Sequence, residues 1–174
     1  MDPSYGDSPL SRGSPGGRDC RVEENTPELR IVKDRETRLY KEQRMATIEK
    51  FCAPGVFEPA TYSQGVKVTQ AQTILFLSGQ VAYTADGSPD CRGDFKGQAR
   101  GAYAAIKALV ESQGGTLASI VKITTYVTNM QYRVDLAPIR EEFFGKKGPA
   151  STLVEISSLA HPDWMIEIEA IAVM

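Results

Sequence analysis

The sequence predicts an α+β fold: a ββαβαββ sandwich with one mixed sheet and two helices on one of its faces. Three observations carry this. Short segments rich in β-branched residues alternate with two stretches of helical periodicity, turn residues mark the junctions, and neither strands nor helices collect into a block of their own.

In chain order, Ala60–Val68 alternates polar and apolar residues toward its end and reads as a half-buried strand. Thr73–Ser78 is a continuous apolar run closed by Gly79-Gln80, which suits a central strand. Asp86-Gly87-Ser88-Pro89 is turn chemistry. Asp94 then caps a helix whose apolar residues Phe95, Ala99, Ala102, Ile106, Leu109 and Val110 recur at three- and four-residue spacing, until Gly114-Gly115 ends it. Ser119–Val127 places Val121, Ile123, Thr125 and Val127 on one face of a strand. Tyr132–Phe144 reads as the second helix, with Pro138 either opening or kinking it. Ala150–Ser157 and Trp164–Val173 are the closing strands, joined by a loop holding Ala160-His161-Pro162-Asp163.

The last strand says something about assembly. Ile166, Ile168, Ala170 and Ala172 point one way, whereas Glu167 and Glu169 share the opposite face with Met165, Ile171 and Val173. That second face is too apolar for open water and too acidic for a core. An oligomer interface enclosing polar pockets reconciles the two.

Composition narrows the classes of function. The 174 residues support one domain, and 20 basic against 22 acidic side chains leave a net charge of -2. This balance gives no general attraction to nucleic acid or anionic lipid. Mean hydropathy is -0.27, and no apolar run approaches the roughly 18 residues of a spanning helix. Cys20, Cys52 and Cys91 are odd in number and widely spaced, which argues against a disulfide framework or zinc site and for a reducing, cytoplasmic setting. His161 is the single histidine, so no mechanism needing a histidine pair can operate within one chain. Residues 1–44 are dense in Gly, Pro, Ser and mixed charge, and are expected to be a disordered extension before a domain over 45–174, with Met45 an alternative start. A short helix over Asp34–Ile48 is compatible with the pattern. No secretory h-region is present, and Asp2, Asp7, Asp19, Glu23 and Glu24 do not fit a mitochondrial presequence.

Several motifs carry a family likeness. Tyr62-Ser63-Gln64-Gly65, Ser78-Gly79-Gln80, Ile120-Val121-Lys122 with Thr124, Glu142-Phe143-Phe144-Gly145, Gly148-Pro149-Ala150 and Glu167-Ile168-Glu169-Ala170-Ile171-Ala172-Val173 together resemble the Rid (reactive intermediate deaminase, YjgF-type) family, in order and with family-like spacing. The resemblance implies a chorismate-mutase-like protomer in a homotrimer with a central barrel and ligand clefts between subunits. It also implies hydrolysis of enamines and imines of 2-amino acids to ammonia and 2-oxo acids, with no metal or organic cofactor.

The same resemblance assigns candidate residues. Glu167 matches the acid that orients the attacking water, and desolvation in a cleft would raise its pKa toward neutrality. A strand carboxylate paired with a lysine is the alternative for it, while Glu169 suits subunit packing or a salt bridge. Tyr62 matches a tyrosine closing over the substrate, or else it is a half-buried edge aromatic. Ser78 and Gly79 can present backbone groups to a ligand, and Gln80 can do so or satisfy neighbouring backbone. His161 and Trp164 suit a loop tip or interface.

Two positions depart from the pattern. Ser151 stands where relatives carry the arginine that binds the substrate carboxylate, and Ala137 stands where asparagine is usual. Arginine–carboxylate contacts contribute roughly 1.5–3 kcal/mol, and a serine hydroxyl half that or less, so a ten- to hundredfold weaker grip is expected. Arg140 is a candidate replacement cation, or a solvated helix charge beside Glu141 and Glu142. Three functions therefore stand: a hydrolytic deaminase, a non-catalytic trimer binding a metabolite or protein, and, least supported by the charge, a ribonuclease.

Overall fold

The computed structural model describes residues 30–31, 34–35 and 46–174. Two units are present, Met1–Leu39 and Tyr40–Met174. In the first, Arg30, Ile31, Asp34 and Arg35 are helical; the rest of the expected extension, with Met45, lies outside the described residues.

The second unit runs β1 (Thr47–Phe51), β2 (Gly65–Thr69), β3 (Ile74–Gln80), α1 (Phe95–Ser112), β4 (Ile120–Val127), α2 (Arg133–Phe144), β5 (Ala150–Glu155) and β6 (Ile166–Val173), with single 3-10 turns before β4 and α2. Strands β3-β6-β4-β5 form the main sheet, with β4 and β5 parallel and the other pairs antiparallel. The parallel pair follows from the α2 crossover that joins them. This is the α+β architecture with a mixed sheet and two helices.

Three boundaries differ from expectation. Thr47 and Ile48 belong to a strand, not to the end of a helix, and β1 pairs with β2 as a separate antiparallel ribbon from Thr47↔Thr69 to Phe51↔Gly65. The order is therefore βββαβαββ. The strand expected from Ala60 begins only at Gly65, because Ser63 turns its hydrogen bonds elsewhere: its N–H donates to the Pro149 carbonyl at 3.2 Å and its hydroxyl to the Gly148 carbonyl at 2.8 Å. Finally, β5 stops at Glu155 and β6 starts at Ile166. The loop before β6 is held by the buried Gln98, whose amide donates to the Asp163 carbonyl at 2.7 Å and accepts from the Met165 N–H at 2.8 Å.

Helix α1 is started by Asp94, whose carboxylate accepts from the Lys96 N–H at 3.0 Å. Its buried stripe is Phe95, Gln98, Ala99, Ala102, Tyr103, Ile106 and Val110. Leu109 falls beside that stripe and is exposed, contrary to its place in the expected core. Pro138 does not open α2; it sits within the helix, where it has no N–H to offer the Val134 carbonyl four residues back.

The helices cover one face of the sheet. Ile123, Val127, Ile166, Ile168 and Ala172 are fully buried there against Ala102, Ile106 and Ile139, each large side chain contributing about 1.5–3 kcal/mol. Phe95 stacks on Tyr132 at 4.3 Å, and Tyr103 packs on Phe143 and Phe144. Val121, Ile123, Thr125 and Val127 are all buried, as the alternation predicts. Val173 is buried too, although the alternation placed it with the open face; the ladder continues past it, from the Met174 N–H to the Thr73 carbonyl at 3.0 Å. The other face carries the exposed Ile74, Phe76 and Val154 beside half-buried Lys122, Thr124, Tyr126, Glu167, Glu169 and Ile171.

Candidate functional site

A cavity of about 540 Å³ opens between α2 and β5, beneath the segment that leads from β1 to β2. Helix α2 supplies Arg133, Val134, Ala137 and Arg140, β5 supplies Ser151 and Leu153, and the loop supplies Phe57, Thr61 and Tyr62. The Ser63 bonds to Gly148 and Pro149 hold this loop in place, and Gln64 ties it back on itself by donating to the Phe57 carbonyl at 2.7 Å. The crossing is close at Gly148, where a Cβ would lie 3.0 Å from the Thr61 carbonyl.

Arg140 is the charge of the cavity. It is only 8% exposed, so it is not a solvated helix charge beside Glu141 and Glu142. Glu142 is engaged instead by Arg100, in a two-bond contact at 2.9 and 2.7 Å. One Arg140 nitrogen donates to Ser151 Oγ at 3.2 Å and another to Thr61 Oγ1, while the guanidinium carbon lies 5.2 Å from the centre of the Tyr62 ring. Its Nε–H has no partner, and among the described residues no carboxylate lies within ion-pair distance. A buried cation held by hydroxyls alone is under-compensated, and an anion in the cavity would complete it.

Tyr103 lies behind Arg140 in the core. Burial pushes its phenol up to about 12, against the opposing pull of the Arg140 charge and of Thr125, and its hydroxyl lacks a hydrogen-bond partner of good geometry.

The remaining candidates sit elsewhere. Glu167 lies directly over Gly79, where a Cβ would come within 1.7 Å of Glu167 Oε1. Thus the residue approaching that glycine closely is Glu167. Gln80 donates to the Ser78 and Gly79 carbonyls at 3.0 and 3.1 Å, and accepts from Tyr83 at 3.4 Å. Ser78 lines a groove of about 380 Å³ on the open face with Phe76, Lys122, Thr124, Glu169 and Ile171. There the Lys122 ammonium is held below its usual range by burial, with Glu169 acting against it, and donates to Thr152. The Tyr126 phenol is pushed up by desolvation and then by Glu169 and Glu167. No lysine pairs with Glu167 among the described residues.

The candidates thus divide between two places. Tyr62, Arg140 and Ser151 meet on the helix side, because Ser151 is in register with the buried Ile123. Glu167 alternates with Ile166 and Ile168 and faces the other way, two strand spacings or about 10 Å from β5. His161 and Trp164 join neither group: His161 Nδ1 accepts from the Asp163 N–H at 3.1 Å, and the Trp164 indole donates to the Ala82 carbonyl at 3.0 Å. Sequence reasoning missed Arg133, Val134, Thr61, Phe57 and Leu153. For Arg133 a signal existed, since Arg133, Ala137 and Arg140 share one helix face at i, i+4 and i+7.

The described residues hold no cluster of metal-ligating side chains and no helix long and apolar enough to cross a membrane.

Comparison with known proteins points one way. The profile described as Endoribonuclease L-PSP matches residues 57–174. A RutC family protein of Pyrococcus horikoshii is 37% identical over 111 residues, 64% of this chain and 85% of that protein. A 2-iminobutanoate/2-iminopropanoate deaminase of Dermatophagoides farinae is 28% identical over 113 residues, 65% of this chain and 85% of its own. Among solved structures, a Rid-family protein of unknown function from Yersinia pestis, YyfB, superposes with a TM-score of 0.67 at 26% identity, covering 73% of this chain and 98% of that one. With fold, motif order and matched length in agreement, the chain belongs to the Endoribonuclease L-PSP family, the family of the Rid proteins.

Proposed function

We propose that this protein hydrolyses imines and enamines of 2-amino acids, releasing ammonia and a 2-oxo acid. The observation that carries the reading is Arg140: a buried guanidinium in the cavity wall, bonded only to the Ser151 and Thr61 hydroxyls and with no carboxylate within ion-pair distance among the described residues. It supplies from α2 the positive charge that the substrate carboxylate requires.

The reaction asks for one further group. Water adds to the imine carbon, forming a C–O bond as the C=N π pair moves to nitrogen, which takes up a proton. The resulting carbinolamine then loses ammonia as the C=O bond forms. Glu167 is the group for the water's proton, and it cannot reach its own cavity from the far face of the sheet. A homotrimer that lays the β3–β6 patch of one copy over the α2–β5 cavity of the next would unite them, and would cover the exposed Phe76 and Ile74. No cofactor enters this scheme.

Competition with semicarbazide for freshly formed 2-iminopropanoate and 2-iminobutanoate tests the reading. Wild type should accelerate hydrolysis, Glu167→Ala should abolish the acceleration, and Ser151→Arg should alter substrate preference. Silence from wild type while a 2-oxo acid still raises its Tm would instead favour a binding module, the reading that Ser151 and Ala137 support. Strand cleavage of RNA has less behind it: the residues lining the cavity include no histidine, and a net charge of -2 gives no general attraction to a polyanion.

A further inference from the structure

The cavity holds a second arginine. Arg133 lines it at the rim, seven residues before Arg140 on the same face of α2, so their backbones stand about 10 Å apart along the helix. Between them is Ala137, the smallest side chain on that face, which leaves the floor between the two guanidiniums open. No acidic residue lines the cavity. The nearest acid on the helix, Asp135, is already engaged by Lys96 at 3.0 Å, and Glu155 accepts from the Met130 N–H. Among the described residues no carboxylate lies within ion-pair distance of either arginine.

We infer that the preferred substrate is a dicarboxylic 2-imino acid, its 2-carboxylate on the buried Arg140 and its side-chain carboxylate on Arg133. This rests on the hydrolytic reading above and names its substrate class. A monocarboxylate uses only the buried Arg140, whereas a short dicarboxylate spans Ala137 and also reaches Arg133, which stands exposed at the rim. The apolar wall of Phe57, Val134 and Leu153 takes the methylene groups between. The bond changes are unchanged: water supplies the carbonyl oxygen, and the imine nitrogen leaves as ammonia.

The test compares imines formed from glutamate and from alanine by amino-acid oxidases, using the full chain and semicarbazide competition. The glutamate-derived imine should have the higher kcat/KM by about tenfold, and Arg133→Gln should erase most of that preference through KM, as loss of one charged hydrogen-bonded contact predicts. Equal or better use of the alanine-derived imine, or a preference that survives Arg133→Gln, overturns the dicarboxylate inference and leaves hydrolysis standing. Hydrolysis of neither imine removes both readings. Calorimetry with glutarate, butyrate and inorganic phosphate gives an answer independent of turnover: glutarate should bind most tightly, and phosphate binding as well or better overturns the inference.

Discussion

The guanidinium of Arg140, on helix α2, donates to the hydroxyl of Ser151, on strand β5, at 3.2 Å. The serine and the arginine are thus in contact, and the cation stands in the cavity's helix wall. Its position behind Thr61 and Tyr62 makes it part of a built pocket.

Because Arg140 is buried without a carboxylate, stability and binding should separate there. Arg140→Met removes an under-compensated charge and keeps most of the packing volume, so Tm should hold or rise. Binding of a 2-oxo acid should fall by at least about tenfold. Thermal denaturation alongside calorimetry reads both, and a large drop in Tm would contradict this account.

Gly79→Ala puts a methyl group where Glu167 Oε1 now lies. The carboxylate is the flexible partner and must swing away. Turnover should fall at least about tenfold, in line with the loss of a positioned proton-transfer group, with a small change in Tm. Near-wild-type rates would show that the position of Glu167 over Gly79 does not matter.

If one site takes Arg140 from one copy and Glu167 from the next, two inactive variants should complement. Arg140→Met and Glu167→Ala, each inactive alone, should recover part of the wild-type rate after co-refolding. Light scattering of wild type should give about three times 19.0 kDa. Failure of mixed oligomers to recover activity would place both groups in the same subunit's site, or in none.

Gln98 makes three bonds through a fully buried amide, to the Asp163 and Cys91 carbonyls and from the Met165 N–H. Gln98→Leu is similar in size but leaves those backbone groups unanswered. A loss of about 2–4 kcal/mol in urea denaturation is expected, from buried polar groups left unsatisfied.

Tyr103 sets an alkaline limit. Its folded pKa of about 12 lies above the unfolded value near 10, so folding favours the protonated phenol. The unfolded chain releases its proton first as pH rises. Stability is therefore unaffected by this group below pH 10, and falls by about 1.4 kcal/mol per pH unit between roughly 10 and 12. Tyr103→Phe should flatten that loss. Because the hydroxyl lacks a good partner, the substitution should be close to neutral at pH 7. A pH series of urea denaturation curves for the two proteins is sufficient.

The sequence by itself determined the repeating parts of this protein. Asp94 and the apolar spacing after it specify α1, the alternation in Ile120–Val127 and Ile166–Val173 specifies β4 and β6, and the ordered motifs specify the family. These are local properties, fixed by side-chain period and capping chemistry along a few turns or a few residues. Strand β1 is not legible in the sequence, and β2 begins at Gly65, not Ala60, because Ser63 spends its hydrogen bonds on Gly148 and Pro149, far along the chain. The tertiary structure alone decided that Arg140 fills the space beside Ser151, that Glu167 rests on Gly79, and that these two groups face opposite sides of one sheet. Such pairings depend on which distant side chain reaches a given void, and that is set by how the helix packs on the sheet.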